Sequence, residues 1–204
     1  ADNYGKLAFG KNSSGSAQEW CILGKDEGVS KDNTIIFAAS PIAKDQKFNS
    51  STSEKTYDST TVYANHYGAS ELRDTLQGMA TNTSYFTSAE QGLMNATTVT
   101  TKDTKNSSVT YTTTDKLYAL AADGYGSSYK TIKAGSDNNT VLATNSYWSN
   151  GDEFWLRSPY SEHDRYALSA IHGNIAYYGF VNIGREVRSE ERRVGKECRS
   201  RWSP

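Results

Sequence analysis

Cysteine is nearly absent from this chain of 204 residues, which contains only Cys21 and Cys198. Cys198 lies in a C-terminal segment that we set aside below, so Cys21 stands alone. A single cysteine forms no intrachain disulfide and supplies no thiolate cluster for a metal ion. Long apolar runs are missing too, and the N-terminal ADNYG has neither the basic start nor the apolar stretch of a secretion signal. We therefore expect a soluble chain that does not insert into a membrane.

Recognisable catalytic motifs are also absent. The three histidines, His66, His163 and His172, have no serine or cysteine partner in a nucleophile motif, and no HExxH, Walker loop or GxGxxG occurs. Asp152 and Glu153 are consecutive on an extended segment, where neighbouring side chains point apart and do not cooperate as acid and base. We expect a protein that is not an enzyme and that carries no cofactor.

The last seventeen residues, RSEERRVGKECRSRWSP, resemble the translation of a common sequencing adapter. We set residues 188–204 aside as a non-native tail; a natural basic tail that binds nucleic acid is the alternative. The tail carries six of the 22 basic and three of the 23 acidic residues, which leaves 16 and 20 and a net charge of −4. A mildly acidic body argues against nucleic acid as a partner. Residues 1–187 then fit a single domain.

Hydrophobic patterns predict an α+β protein of short, mostly antiparallel strands. Strands are predicted at 6–10, 19–24, 33–40, 153–158, 166–171 and 174–183. The chain shows no sustained alternation of strands and helices, so a parallel doubly wound sheet is not expected.

Two short helices are predicted between these groups of strands. Ser70 is a predicted N-cap, and the helix after it carries Leu72, Leu76 and Met79 on one face. Thr87 and Glu90 have the spacing of a capping box. A Thr-, Ser- and Asn-rich insertion at 97–114 is interpreted either as a hydroxyl-rich β-ribbon or as a flexible segment. A further stretch, 124–145, is predicted to be a surface loop.

The sequence from 154 to 188 contains FWLRSPY, YALSAI, HGNIAYYGFVN and GREVR. It resembles a bacterial and phage domain family of undefined activity, in which a WLRSP motif precedes a sequence-variable hairpin and a terminal V-R-P. It is also similar to the variable proteins of diversity-generating retroelements. The likeness extends upstream through FG…EWCIL and SELRDTL…FTSAEQ, weakens in the Thr-rich insertion and stops at Arg188, where a proline and a closing strand would be expected.

The resemblance implies a C-type-lectin-like fold, related to that of formylglycine-generating enzymes, whose last hairpin and preceding loop form a ligand-binding face. The loop residues of this face are Tyr160, Ser161, Glu162, His163, Asp164 and Arg165. The hairpin residues are His172, Asn174, Ala176, Tyr178, Phe180 and Asn182. Strand alternation would turn Ile175, Val181 and Ile183 to the opposite, packed side. Tyr160 and Tyr178 are expected to be exposed.

The composition of this face is that of a recognition surface. Tyrosine offers a large contact area at the entropic cost of two torsions, and Ser, Gly and Asn give adaptable hydrogen bonds. Core packing is an equal alternative for Tyr166, Tyr177 and Phe180. The WLRSP residues are expected to be structural, with Trp155 and Leu156 in the core. Arg157 is expected to bind backbone carbonyls or a carboxylate inside the fold, with contact to a ligand as the alternative. Ser158 and Pro159 complete that motif.

We therefore expect a diversified, non-catalytic protein on a virion or cell surface that binds a protein or glycan ligand in receptor recognition or adhesion; its oligomeric state stays open. The alternatives are an undiversified carbohydrate-binding or adhesion module of a bacterial surface protein and an enzyme related to sulfatase activation. That enzyme chemistry relies on two cysteines, whereas Cys21 is expected to be an inert core residue. Calcium ligands are conceivable at Asp137–Asn139 and at Asn150, Asp152 and Glu153, but without EF-hand spacing we expect no metal.

Overall fold

A computed structural model describes residues 5–25, 33–106, 109–122, 132–134, 140–142, 153–171, 175–188 and 190–194. The helices are the 3₁₀ turn Tyr67–Ala69, α1 (Glu71–Thr81) and α2 (Ser88–Leu93). The strands are β1 (Lys6–Lys11), β2 (Ala17–Lys25), β3 (Asn33–Ala38), β4 (Ala43–Lys47), β5 (Lys55–Tyr57), β6 (Thr60–Val62), β7 (Thr97–Lys102), β8 (Thr110–Asp115), β9 (Leu117–Tyr118), β10 (Ala121–Ala122), β11 (Ile132–Ala134), β12 (Thr140–Leu142), β13 (Phe154–Pro159), β14 (Tyr166–Ile171), β15 (Ile175–Phe180), β16 (Gly184–Val187) and β17 (Glu190–Val194).

Two five-stranded sheets dominate the described part of the protein. The first has the order β1-β2-β3-β17-β9 and the second β15-β14-β13-β16-β4. The pairings are antiparallel except that of β13 with β16, which is parallel. Smaller sheets are formed by β10-β11-β12, β5-β6 and β7-β8. The arrangement is α+β, as the sequence predicted.

Both predicted helix starts are confirmed. The Ser70 hydroxyl accepts a hydrogen bond from the Arg73 N–H at 3.1 Å, which satisfies one of the free N–H groups in the first turn of α1. At α2, Thr87 N donates to the Glu90 carboxylate at 2.8 Å and Glu90 N donates to the Thr87 hydroxyl at 3.3 Å, a complete capping box. The apolar face of α1, with Leu72, Leu76 and Met79, is buried in the main core.

The second sheet packs apolar side chains on both of its faces. Trp155, Ala167, Val181 and Val187 belong to the main core. The opposite face contributes to a smaller cluster, which contains Phe37, Leu120, Phe154, Leu156, Tyr160, Leu168 and Ala170, with Tyr166 and Tyr178 packed against it. For the last hairpin, the expected ligand-facing side is therefore only partly free: Tyr178, expected to be exposed, packs against the smaller cluster, whereas Phe180 and Asn182 are exposed.

The Thr-rich insertion forms a β-ribbon rather than an irregular segment. Strands β7 and β8 pair from Thr97↔Asp115 to Lys102↔Thr110. Alternate residues face inward, and the buried Asp115 carboxylate lies 2.8 Å from the guanidinium of Arg73 on α1. The ribbon is thus attached to the helix by a partly buried ion pair that satisfies the carboxylate.

Residues 190–194 form strand β17 between β3 and β9, although we had set 188–204 aside as a tail. Arg188, just before it, is 2% exposed and donates from its guanidinium to the Ala39 carbonyl at 3.0 Å. Strand pairing uses backbone groups, so a segment without an apolar period also pairs wherever a neighbouring strand offers free donors and acceptors. Adapter origin for residues 188–204 stays a prediction.

Candidate functional site

Strand β13 is fixed to the rest of the protein by its side chains. The indole N–H of Trp155 donates to the Gln46 carbonyl at 2.8 Å, and the ring lies in the main core. The guanidinium of Arg157, fully buried, donates to the Ala119 carbonyl at 2.6 Å, the kind of contact expected from the sequence. Ser158 accepts from the Ala122 N–H at 2.9 Å. This strand carries the loop that begins at Tyr160.

The loop Tyr160–Tyr166, which we call the clasped loop, is held by its backbone. The buried carboxamide of Asn65 donates to the carbonyls of His163 at 2.8 Å and Tyr166 at 3.0 Å, with a longer contact of 3.4 Å to the Tyr160 carbonyl. An amide nitrogen has two hydrogens, so the two short contacts are the principal bonds. Within the loop, Tyr160 N donates to the Tyr166 carbonyl at 3.0 Å. Asn65 is fully buried and therefore keeps these bonds out of competition with water.

The turn after β15 adds one more backbone bond to the clasped loop. Val181 N donates to the Arg165 carbonyl at 3.0 Å, while the Val181 carbonyl accepts from Asn49 N at 2.9 Å. Asn49 is fully buried, and its side chain binds the Ala64 carbonyl, one residue before Asn65. The end of the hairpin and the clasped loop therefore share one buried polar support.

The side chains of the clasped loop face solvent for the most part. Ser161, Glu162, His163 and Arg165 are exposed, and Asp164 is half-buried. The Asp164 carboxylate lies 3.0 Å from His163 Nδ1 and 3.7 Å from Arg165 Nε. The exposed Arg165–Asp164 ion pair contributes little to stability, about 0–1 kcal/mol.

An aromatic cluster lies beside the loop and consists of Tyr160, His163, Tyr166, Tyr178 and Phe180. Tyr160 stacks on Tyr178 with a centroid distance of 4.3 Å, and Tyr166 lies 4.3 Å from Phe180. Exposure increases across the cluster, from 9% at Tyr160 to 41% at Phe180. The expectation that Tyr160 is exposed is wrong: its ring completes the smaller core cluster, and its hydroxyl reaches out to Glu162 Oε2 at 3.0 Å.

The turn after β15 corrects a second expectation. Val181 is buried as predicted, but Ile183 is 47% exposed rather than packed. The strand ends at Phe180, and Ile183 N donates to the Phe180 carbonyl at 3.1 Å, so the chain turns and the alternation of faces stops there. Asn182 is exposed, as predicted. Phe180, Asn182 and Ile183 together form an exposed, partly apolar turn.

Beneath β15 lies a buried charged group that sequence reasoning missed. Arg185 forms an ion pair with Glu153, and its guanidinium lies 4.7 Å from the Trp155 ring. Burial lowers the pKa of Arg185 to about 10. Ser169 donates to the same Glu153 carboxylate at 2.6 Å. The Arg185 guanidinium occupies the space next to the Gly179 backbone, so a side chain at position 179 would collide with it.

A second buried group next to Asn65 was also missed. His66 is 3% exposed and stacks on Tyr111 at 3.9 Å, with Tyr57 at 4.7 Å. Burial lowers the pKa of His66 to about 4, against the opposing influence of Asp103. The imidazole is therefore neutral at pH 7.

Several of the predicted site positions lie outside the described residues or are described only in part. His172 and Asn174 lie outside the described residues, and Ala176 is described only as the strand residue opposite Ala170. The conceivable calcium ligands other than Glu153 also lie outside them. Within the described ranges, no group of three or more His, Cys, Asp or Glu side chains is arranged to hold a metal ion. Burial raises the pKa of the Cys21 thiol, which disfavours the reactive thiolate.

The fold and the site define the class of protein. It is an α+β protein with a loop held by its backbone carbonyls and an aromatic cluster at one edge of a sheet. A family model described as Domain of unknown function (DUF6273) matches residues 31–189, and the chain belongs to that family. Comparison with curated proteins gives no significant match, and comparison with solved structures gives none either. None of the helices in the described ranges has the length and apolar character needed to cross a membrane.

Proposed function

We propose that this protein is a non-catalytic binding protein whose clasped loop and last hairpin form a sequence-variable face for a ligand on a cell surface. The observation that carries the proposal is the way the loop is held. Asn65 and Val181 bind its carbonyl oxygens at residues 163, 165 and 166, and every residue type has that carbonyl. Replacing the exposed side chains at residues 161, 162, 163 and 165 therefore leaves the contacts from Asn65 and Val181 in place.

The exposed positions on this support suit recognition. Ser161, Glu162, His163 and Arg165 supply varied polar groups, and Phe180 offers a ring that is 41% exposed and held in place by Tyr166. An aromatic side chain that is already ordered loses little entropy on binding, and a well-placed one contributes roughly 2 kcal/mol or more. The aromatic cluster would act as the fixed anchor and the loop as the adjustable part.

Diversification by a retroelement, a C-type-lectin-like fold and display on a virion or cell surface are the finer parts of the proposal. They are supported by the WLRSP motif at 155–159 and by the hairpin that follows it. Diversification requires constant residues that hold the fold next to a loop whose side chains can change. The WLRSP motif and the clasped loop fit this requirement. An undiversified carbohydrate-binding or adhesion module is the second candidate, and the exposed Phe180 ring beside Asn182 favours it, because an aromatic face stacks on a sugar.

A pair of display libraries tests the proposal. The first randomises residues 161, 162, 163 and 165, and the matched control randomises four buried positions, Leu156, Ala167, Leu168 and Ala170. We expect most clones of the first library to display folded protein and to melt cooperatively, and most clones of the control not to. Selection of the first library on a purified protein such as lysozyme should then yield binders. Widespread unfolding in the first library would refute an interchangeable face.

The genome offers an independent test of diversification. A reverse transcriptase gene and a template copy of the codons for residues 160–182 are expected beside the gene, with differences confined to template adenines. A neighbourhood without them favours the undiversified module.

A further inference from the structure

The Asn65 carboxamide also contacts the β7–β8 ribbon. Its carboxamide oxygen accepts a hydrogen bond from the Thr104 hydroxyl at 2.9 Å. Thr104 belongs to the end of the ribbon, which we call the hairpin tip and define by its described residues Asp103, Thr104, Lys105, Asn106 and Val109. One buried amide therefore binds the clasped loop through its nitrogen and the hairpin tip through its oxygen. The two segments lie next to each other although they are distant in sequence.

The hairpin tip has an ordered backbone of its own. Asp103 N donates to the Val109 carbonyl at 3.1 Å, and Val109 N donates to the Asn106 carbonyl at 2.8 Å. Lys105 connects the tip to its surroundings, because its ammonium lies 2.6 Å from the Glu54 carboxylate and 5.4 Å from the centre of the Tyr63 ring. The tip therefore holds Val109 in a defined place.

Three large apolar side chains are exposed among the described residues. They are Val109 at 52%, Ile183 at 47% and Phe180 at 41% exposure. Val109 is in the hairpin tip, and the other two are in the turn joined to the clasped loop through Val181. Scattered apolar side chains are ordinary on a surface, but these three lie on two segments that hydrogen bonds connect to Asn65 or to the clasped loop that it holds.

We propose that the hairpin tip and the clasped loop form one two-part binding face, with Asn65 as its positioning residue, and that its partner is a polypeptide surface. This inference rests on the proposed function of the clasped loop. Val109 and Ile183 are aliphatic, so they offer no ring face to a sugar, whereas they gain by burial against apolar side chains of another protein. The exposed polar side chains of the loop and of the turn, Glu162, Arg165 and Asn182, match the polar rim of a protein interface.

Amide hydrogen exchange on the whole chain tests the positioning role without a ligand. Thr104→Val removes the hydroxyl and keeps the shape of the side chain. We expect exchange of the Tyr160, His163 and Val181 amides to accelerate about tenfold, as for loss of one buried hydrogen bond, while amides of α1 are unchanged. Asn65→Ala should accelerate exchange in both the loop and the tip. Asn82→Ala, at the exposed end of α1, is the control. Unchanged loop exchange in Thr104→Val overturns the coupling.

Binding to defined probes tests the partner. The protein is screened against a phage-displayed library of random dodecapeptides and against a printed glycan array, and the enriched peptide is then titrated. We expect enrichment of peptides, with affinity weakened about tenfold by Val109→Ser and by Ile183→Ser, the scale expected for one lost apolar contact. Thr114→Ser, at the far end of β8, should leave affinity unchanged.

The possible outcomes separate this inference from the function on which it rests. If Arg165→Ala weakens binding but Val109→Ser does not, the two-part face is wrong and the loop function stands. Binding to glycans alone, or an absence of peptide enrichment, overturns the polypeptide partner. Binding that neither loop nor tip variants change overturns both proposals.

Discussion

Strand β13 and the clasped loop are consecutive in the chain but differ in how their side chains are used, although β13 also pairs through its backbone with β14 and β16. In β13 the side chains do the binding: Trp155 reaches the Gln46 carbonyl and Arg157 reaches the Ala119 carbonyl, both in the protein interior. In the clasped loop the carbonyls of His163 and Tyr166 accept from Asn65. Residue type therefore matters for β13, whereas at the exposed loop positions between Tyr160 and Tyr166 it is the shape of the backbone that matters.

This difference separates the residues that maintain the fold from the residues that can contact a ligand. A strand that depends on one indole and one guanidinium tolerates few substitutions, because each loss leaves a cavity or an unpaired carbonyl. A loop that depends on its own carbonyls tolerates many. The support itself, Asn65, lies about a hundred residues away in the sequence and does not change when the loop does.

The largest expected effect is on the side-chain-held strand. Trp155→Ala should lower the free energy of unfolding by about 3–5 kcal/mol, because it removes a fully buried ring and leaves a cavity. Phe180→Ala is the matched aromatic control in the exposed part of the face and should cost about 1 kcal/mol or less. Urea denaturation measures both. Equal losses would mean that the aromatic cluster is core and would remove the contrast between the two regions.

The support under the loop should be sensitive to acid. Burial holds the pKa of His66 at about 4, below the value of 6.5 for an exposed histidine, so the unfolded chain binds the proton more readily. The contribution of His66 to the free energy of unfolding is at its maximum above pH 6.5. It decreases as the pH falls towards 4, by on the order of 2–3 kcal/mol. Of the groups facing the ring, Asp103 opposes this shift and Arg73 reinforces it, while Tyr57 and Tyr111 pack against it.

Stability measured from pH 7.5 to pH 4 in parallel variants tests this effect. His66→Phe should retain the ring stacking and flatten the pH dependence relative to the parent. Asn82→Ala, at the exposed end of α1, changes no titratable group and should leave the dependence as it is. The same slope in His66→Phe and the parent would show that other groups cause it.

A glycine substitution tests the packing under β15. Gly179→Ala should cost about 1–3 kcal/mol, because its methyl group would meet the Arg185 guanidinium, which the Glu153 ion pair and the Trp155 ring hold in place. Gly78→Ala on α1 is the matched control. Its methyl group meets nothing within 4 Å, so the change should stabilise the helix by about 0.5–1 kcal/mol. Thermal denaturation shows directly whether each variant is more or less stable than the parent protein. A Gly179→Ala variant as stable as the parent would mean that the Arg185 side chain moves freely.

Local features of the fold were predictable from the sequence. The Ser70 cap and the Thr87–Glu90 box each depend on residues three positions apart, and helix termini are determined at that range. The Asn65 support was not predictable, because its partners are 95 to 101 residues away and no periodicity marks an isolated amide. Ile183 was misplaced because strand alternation stops where β15 ends, at Phe180. Tyr160 was misplaced because a position in a polar loop suggested exposure, whereas its ring joins Phe154 and Leu156 in the smaller core cluster.

The smallest effects are expected in the clasped loop, and they are the most informative. Ser161→Ala and Arg165→Ala should each change the free energy of unfolding by no more than about 0.5 kcal/mol, since both side chains are exposed and the Arg165–Asp164 pair is a weak surface contact. Urea denaturation of both single variants and of the double variant checks this, with additive effects expected for side chains that share no support. A loss above about 1 kcal/mol in either single variant would mean that loop side chains help to hold the fold. The carbonyl contacts of Asn65 would then be insufficient, and the loop could not vary freely.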